Sequence, residues 1–270
     1  MRADTAVRWS GQEAMTVATS RLLEDHRVVF AGVGVPLLAS VLAQQLHAPN
    51  LTVVLEGGIV DPRMEPGLLP ISTNEMRAAH GARMLTGIVD VFHYAQRGAF
   101  DYGVVGAAQV DTFGNVNTSV IGDYEAPRVR LPGSGGANDI VSSCRDIIIV
   151  TKHERRRFVE RVDFVTSPGF LDGGQSREDA GLVFARPVAV ITDLARLGFD
   201  AMTRRMTVEA LQPEVTLADV RDATGFDLLV PDEGVPTLPP PTDEELDVLR
   251  NLEHPPAETS APTTGRELQP

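Results

Sequence analysis

Four short apolar runs, each stopped by a glycine or a charged residue, decide what this 270-residue chain can fold into. They are VVFAG at residues 28–32, TVVLEGG at 52–58, DYGVVG at 101–106 and DIIIVTK at 146–152. Each is too short for a helix, and each is apolar at successive positions, so it has no polar face to offer water. Such runs are strands buried on both sides, as in parallel sheets covered by helices. Helical segments fill the intervals. Residues 11–25 place Ala14, Val17, Ala18 and Leu22 on one face, residues 37–48 open near Pro36 and close before Pro49, and residues 81–98 read as a third helix. Segments 158–170, 181–200 and 206–230 complete the body with strand-like runs and one further helix. The expected fold is an α/β domain: an open, mostly parallel sheet flanked by helices.

Composition sets limits on function. Hydrophobic residues make up 43% of the chain and charged residues 23%, enough to build one sizeable core. The net charge of −13 speaks against a nucleic-acid partner, because neutralising phosphates takes clustered Lys and Arg. No apolar run reaches the roughly 18 residues that span a bilayer, and the first fifteen residues lack the apolar stretch of a secretory leader. Cys144 is the only cysteine, so no intrachain disulfide forms, and a cytoplasmic chain with no membrane partner is expected. Residues 231–270 hold nine prolines, nine acids and two arginines. The division expected is therefore a body over 1–231 and a Pro-rich, acidic, largely disordered tail over 232–270. One short helix is expected inside that tail, with Thr242 as its N-cap and Glu245 completing a capping box. Removing the tail from Asp243 onward is expected to leave folding intact.

Four loops carry possible chemistry. Gly32-Val33-Gly34 lies between a strand and a helix, but Leu37 stands where a dinucleotide fingerprint needs its third glycine, so a loop that turns the chain or lines a cleft is the better reading. Glu56 ends a buried strand and precedes Gly57-Gly58. An acid there sits at the carboxyl end of the sheet, where open α/β folds bind ligands, and is either a base, a nucleophile or a solvated strand-end residue. Gly133-Ser134-Gly135-Gly136-Ala137-Asn138 is a run of small residues that can expose consecutive N–H groups to an oxyanion, or a surface loop. Asp111 to Asn117 reads as a structural hairpin turn. Cys144 reads as structural. The six histidines, among them His80 and His93, show no metal spacing, and Ser72 and Ser134 lack a hydrolase elbow. Met64, Met76, Phe92 and Tyr94 are candidates for an acyl pocket, although core packing explains such residues more often.

Taken in order, GVGVP, HAPNLTVVLEGG, GAAQVDTFGNVNTS and LPGSGGANDIVSS resemble the β subunit of family I CoA-transferases, of the glutaconate CoA-transferase type. The resemblance covers roughly residues 10–232. It implies an α subunit of similar fold, with the active site between the two. It implies Glu56 as nucleophile and Gly135, Gly136, Ala137 and Asn138 as the oxyanion- and CoA-binding loop. The implied reaction moves CoA from an acyl-CoA to a carboxylic acid through acyl-anhydride and glutamyl-CoA thioester intermediates, and needs no cofactor and no metal, coenzyme A being part of the substrate. An alternative within the superfamily is a CoA-thioester or ring-opening hydrolase subunit of steroid breakdown. The resemblance implies that such a subunit lacks the glutamate. A non-catalytic partner subunit is a third reading.

Overall fold

The four apolar runs lie side by side. In the computed structural model, which describes residues 8–254, they form β1 (Val28–Ala31), β2 (Thr52–Leu55), β5 (Tyr102–Gly106) and β10 (Asp146–Val150). Between them come β3 (Ile59–Val60), β4 (Met84–Leu85), β6 (Gln109–Val110), β7 (Val116–Asn117), β8 (Val120–Ile121) and β9 (Val129–Arg130). After them come β11 (Arg186–Ile191), β12 (Ala195–Phe199) and β13 (Met206–Leu211). The main sheet has nine strands in the order β13-β12-β11-β10-β5-β1-β2-β3-β4. Its five central strands are parallel, and the two pairs at its edges are antiparallel. The central strands are buried almost throughout, which is why their sequences do not alternate.

Helices cover both faces. On one side α1 (Gly11–Ser20), α2 (Val35–Leu46) and α7 (Asp243–Glu253) share an apolar core with β1 and β2. On the other, α3 (Ile88–Gln96), α4 (Ala137–Ser143) and α6 (Leu217–Asp222) pack around Phe30, Ile147 and Ile149. A single-turn α5 (Ser176–Asp179) closes the set. From β1 the chain passes through α2 to β2 on one side, and from the adjacent β5 it passes through α4 to β10 on the other. The direction of winding therefore switches between β1 and β5, and Glu56 and the glycine loop both belong to the carboxyl edge beside that switch.

Three expectations need correction. The helix expected over 81–98 starts only at Ile88. Met84 and Leu85 pair instead with β3, because the Thr86 N–H donates to the Gly58 carbonyl at 2.8 Å and the Asp90 carboxylate accepts from Thr86 Oγ1 and from the Gly87 N–H. The run over 158–170 forms no strand. It threads past the β6–β7 hairpin through isolated bridges and buries Phe158 and Val162 on the way.

The third correction concerns the tail. Residues 232–254 dock on the body, so its boundary is not at 231; residues 255–270, like 1–7, lie outside the described residues. The expected helix forms with its Thr242–Glu245 capping box. Its Leu246, Leu249 and Leu252 are buried, Arg21 grips the Glu245 carboxylate through two nitrogens at 2.8 and 2.7 Å, Arg250 meets Glu13 at 2.7 Å, and the Leu252 carbonyl accepts from the Gly67 N–H. Burying a leucine is worth roughly 1.5–3 kcal/mol. Deleting residues 243–270 should therefore lower the thermal midpoint by about 10 °C or more; calorimetry of the full-length and truncated chains checks this, and equal midpoints would show that docking contributes nothing.

His153, just beyond β10, ties three elements together. Its Nδ1 lies 3.0 Å from Thr192 Oγ1, its Nε2 lies 3.0 Å from Thr224 Oγ1, and its ring stacks on Phe158 at 3.9 Å. Burial pushes its pKa down to about 3. Unfolded, the same side chain protonates near pH 6.5, so below that pH the unfolded state takes up a proton that the folded state refuses. Stability from this group is complete above about pH 6.5 and falls by up to about 1.4 kcal/mol per pH unit below it. Stability curves of the wild type and His153→Gln should diverge in slope between about pH 6 and 4, the variant being flatter; parallel curves would disprove the assignment.

Candidate active site at the end of β2

Strand β2 stops because the chain turns back on itself. The Gly58 N–H donates to the Leu55 carbonyl at 3.0 Å, which puts Glu56 and Gly57 at the corners of a tight turn into β3. Gly58 has φ +94°, and a side chain there would lie 2.0 Å from the Thr86 carbonyl oxygen. A side chain on Gly57 would come within 2.4 Å of Asn74 Oδ1. Both glycines are thus demanded by two other segments that press against the turn, and together those segments fix where the half-buried Glu56 stands.

The glycine loop lies against this carboxylate. A side chain on Gly135 would reach to 4.0 Å from Glu56 Oε2, and one on Gly136 would come within 3.1 Å of Glu56 Cδ and 2.5 Å of Phe92 Cζ. Of the expected loop residues, Gly135 and Gly136 therefore touch the Glu56 neighbourhood, and among the described residues their N–H groups donate to no carbonyl. Ala137 differs, since its N–H is spent on the Ser134 carbonyl at 2.9 Å. Asn138 turns its amide nitrogen to the Thr166 carbonyl at 2.9 Å and so anchors α4.

Buried polar groups hold the loop in place. Asn115 accepts from the Gly169 and Leu171 N–H groups and donates to Asp111, whose carboxyl is raised by burial against the pull of those hydrogen bonds. Asn117 bonds Gln109 and the Val120 carbonyl at 2.6 Å each. The Thr118 carbonyl next to it accepts from the Gly133 N–H, fixing the loop's entry. Its exit is held by Arg177, 1% exposed, whose guanidinium donates to the carbonyls of Val141, Pro168, Gly169 and Ala185 at 2.6–2.9 Å. Burial lowers its pKa to about 10, which leaves it charged at neutral pH. The hairpin at Asp111–Asn117 is accordingly structural, as its sequence suggests.

The remaining candidates separate clearly. Cys144 is buried behind α4 with its thiol pushed up to about 12, which suits a structural residue and not a nucleophile. Met64 and Met76 line a surface groove of about 490 Å³ with Leu68 and His80, and His80 pairs with Glu65 at 3.0 Å. Tyr94 points outward, 43% exposed. Phe92 alone of the four acyl-pocket candidates reaches the Glu56 site. No group of His, Cys, Asp and Glu that could hold a metal is present among the described residues. Sequence reasoning missed the part played by Arg177, because a single arginine in QSRED reads as solvated and its four carbonyls come from other segments.

The Coenzyme A transferase family model matches residues 12–223. The chain belongs to the coenzyme A transferase family, as a β-type subunit. It is 39% identical to its counterpart chain in the 3-oxoadipate CoA-transferase of Pseudomonas knackmussii, over 91% of this chain and 94% of that one. The crystal structure of glutaconate coenzyme A-transferase from Acidaminococcus fermentans superposes with a TM-score of 0.84 at 32% identity, covering 91% of this chain and 95% of that one. The cholesterol ring-cleaving hydrolase IpdB subunit of Mycobacterium tuberculosis is 33% identical over 54% of this chain and 58% of its own length. The 3-oxoadipate and IpdB relatives are each named as one subunit of a larger enzyme.

Gly136 leaves no room for a side chain. In Gly136→Val the new methyls would displace either the Phe92 ring or the Glu56 carboxylate, as well as the loop's N–H groups. Turnover of the assembled enzyme should fall at least a hundredfold, in line with the loss of roughly 3 kcal/mol for one oxyanion donor, while circular dichroism stays native. Wild-type turnover in a folded variant would remove the loop from the site.

Proposed function

We propose that this β subunit carries the nucleophile of a heteromeric CoA-transferase, and that the nucleophile is Glu56. The observation that supports this best is that the Glu56 carboxylate fills the space where side chains on Gly135 and Gly136 would stand, beside N–H groups that are unclaimed among the described residues. A carboxylate oxygen of Glu56 attacks the thioester carbonyl of an acyl-CoA. Charge gathers on the carbonyl oxygen, the C–S bond breaks, and CoA thiolate leaves an acyl-glutamyl anhydride. The thiolate then attacks the glutamyl carbonyl, which releases the first carboxylate and leaves a glutamyl-CoA thioester. An acceptor carboxylate reverses the two steps and departs as its CoA thioester. Fixed N–H donors stabilise the developing oxyanion more than the ground state, at roughly 3–4 kcal/mol for a well-placed one.

The reaction needs no separate base, metal, nicotinamide or flavin, since a carboxylate is already the nucleophile. Both transferase relatives are named for dicarboxylic acids, so dicarboxylates are the first acceptors to try. A cytoplasmic setting belongs to this reading and is supported by the one buried, free cysteine. No described helix is long and apolar enough to cross a membrane.

The test uses the chain co-expressed with its α-type companion. Incubation with acyl-CoA and no acceptor should leave a CoA adduct on the peptide containing Leu55-Glu56-Gly57. Glu56→Gln should abolish both adduct and transfer, because an amide is a poor nucleophile, and the β chain alone should transfer nothing. An adduct on another residue, or transfer persisting in Glu56→Gln, would refute the assignment. Thioester hydrolysis without any transfer in the wild type would favour the hydrolase alternative.

A further inference from the structure

One side chain outside the reacting groups stands beside both halves of the site. Phe92 is half-buried on α3, between the buried Val91 and the exposed His93 and Tyr94. Its ring leans on Phe30 at 5.8 Å and 50°, and Phe30, fully buried, meets Phe100 edge-on at 5.3 Å. The ring is thereby fixed from below, in the tilted and edge-to-face geometries that aromatic pairs prefer. Its outer tip, Cζ, lies 2.5 Å from where a Gly136 side chain would begin, and Glu56 Cδ lies 3.1 Å from the same point. Ring tip and carboxyl carbon therefore flank one spot, on the same side of the glycine loop.

We propose that Phe92 is the water-excluding wall of this site and sets how the enzyme-bound thioester divides between transfer and hydrolysis. This rests on the reading of Glu56 as nucleophile. Two reagents compete for the glutamyl carbonyl carbon once CoA is attached. An acceptor carboxylate adds there and carries the reaction forward. Water adds at the same carbon, breaks the C–S bond, and gives back the Glu56 carboxylate with free CoA thiol and one proton. Substrate contacts hold the acceptor in place, whereas nothing but exclusion keeps water out. A hydrocarbon ring beside that carbon offers water no hydrogen-bond partner on that flank. Truncation to alanine vacates more than the roughly 30 Å³ that one water fills. Phe92 acts here as a positioning and specificity residue.

The assembled enzyme is compared as wild type, Phe92→Leu and Phe92→Ala. Each is given acyl-CoA with acceptor, and free thiol and new acyl-CoA are measured in the same sample. The ratio of hydrolysis to transfer does not depend on how much protein is active, so it separates the proposal from simple loss of packing. The ratio should rise at least tenfold in Phe92→Ala and by a smaller factor in Phe92→Leu, which keeps most of the contact with Phe30. Rates that fall together at a constant ratio in both variants would overturn the role of Phe92 while leaving Glu56 in place. A wild type that forms neither product nor Glu56 adduct would overturn the Glu56 reading, and this proposal with it.

Discussion

The site depends on how closely separate backbones crowd the end of one strand. The turn from Leu55 to Gly58 is pressed by residues 73–74 on one side and by Thr86 on the other, at separations that no side chain could share. Gly136 then approaches the same carboxylate from above. A flexible acid at a strand end would spend most of its time in water. Here its base is clamped by backbone, and the cost of a precise position is met by folding, before any ligand arrives.

Clamping of this kind needs rigid supports, and the structure supplies them with buried polar groups rather than regular elements. The segment from Val159 to Leu171 has no strand, yet its backbone is held by Asn115 and Arg177, and its Thr166 hydroxyl donates to Asn117 Oδ1. Among the described residues Arg177 has no carboxylate hydrogen-bond partner, and its donors go to carbonyl dipoles. A guanidinium suits this, since its planar fork offers five donors in fixed directions. Irregular chain is made stiff, and stiff chain carries the glycine loop.

Much of this was legible in the sequence, for local reasons. Buried parallel strands announce themselves by unbroken apolar runs, and Glu56 stands out because an acid followed by two glycines is out of place at the end of such a run unless the backbone needs it there. The glycine loop is equally local. What stayed hidden depends on tertiary contact. Met84 and Leu85 look helical until Gly58 offers Thr86 a carbonyl to bond. Phe92 looks like any core aromatic, because its nearness to Gly136 joins segments more than forty positions apart. The three leucines of α7 were diluted by the acids and prolines around them, although their own spacing of three is that of a buried helix face.

That last helix has a consequence for how the protein is made. Its Leu252 carbonyl holds the Gly67 N–H, and Gly67 begins the stretch that runs on to Thr73 and Asn74, against which the Glu56 turn leans. The same helix is riveted to the first one through Arg21 and Glu13. During synthesis, then, the first helix and the turn at Glu56 leave the ribosome long before the element that braces both of them exists. A nascent chain halted short of Glu253 would hold the Glu56 carboxylate on a wall with one prop absent.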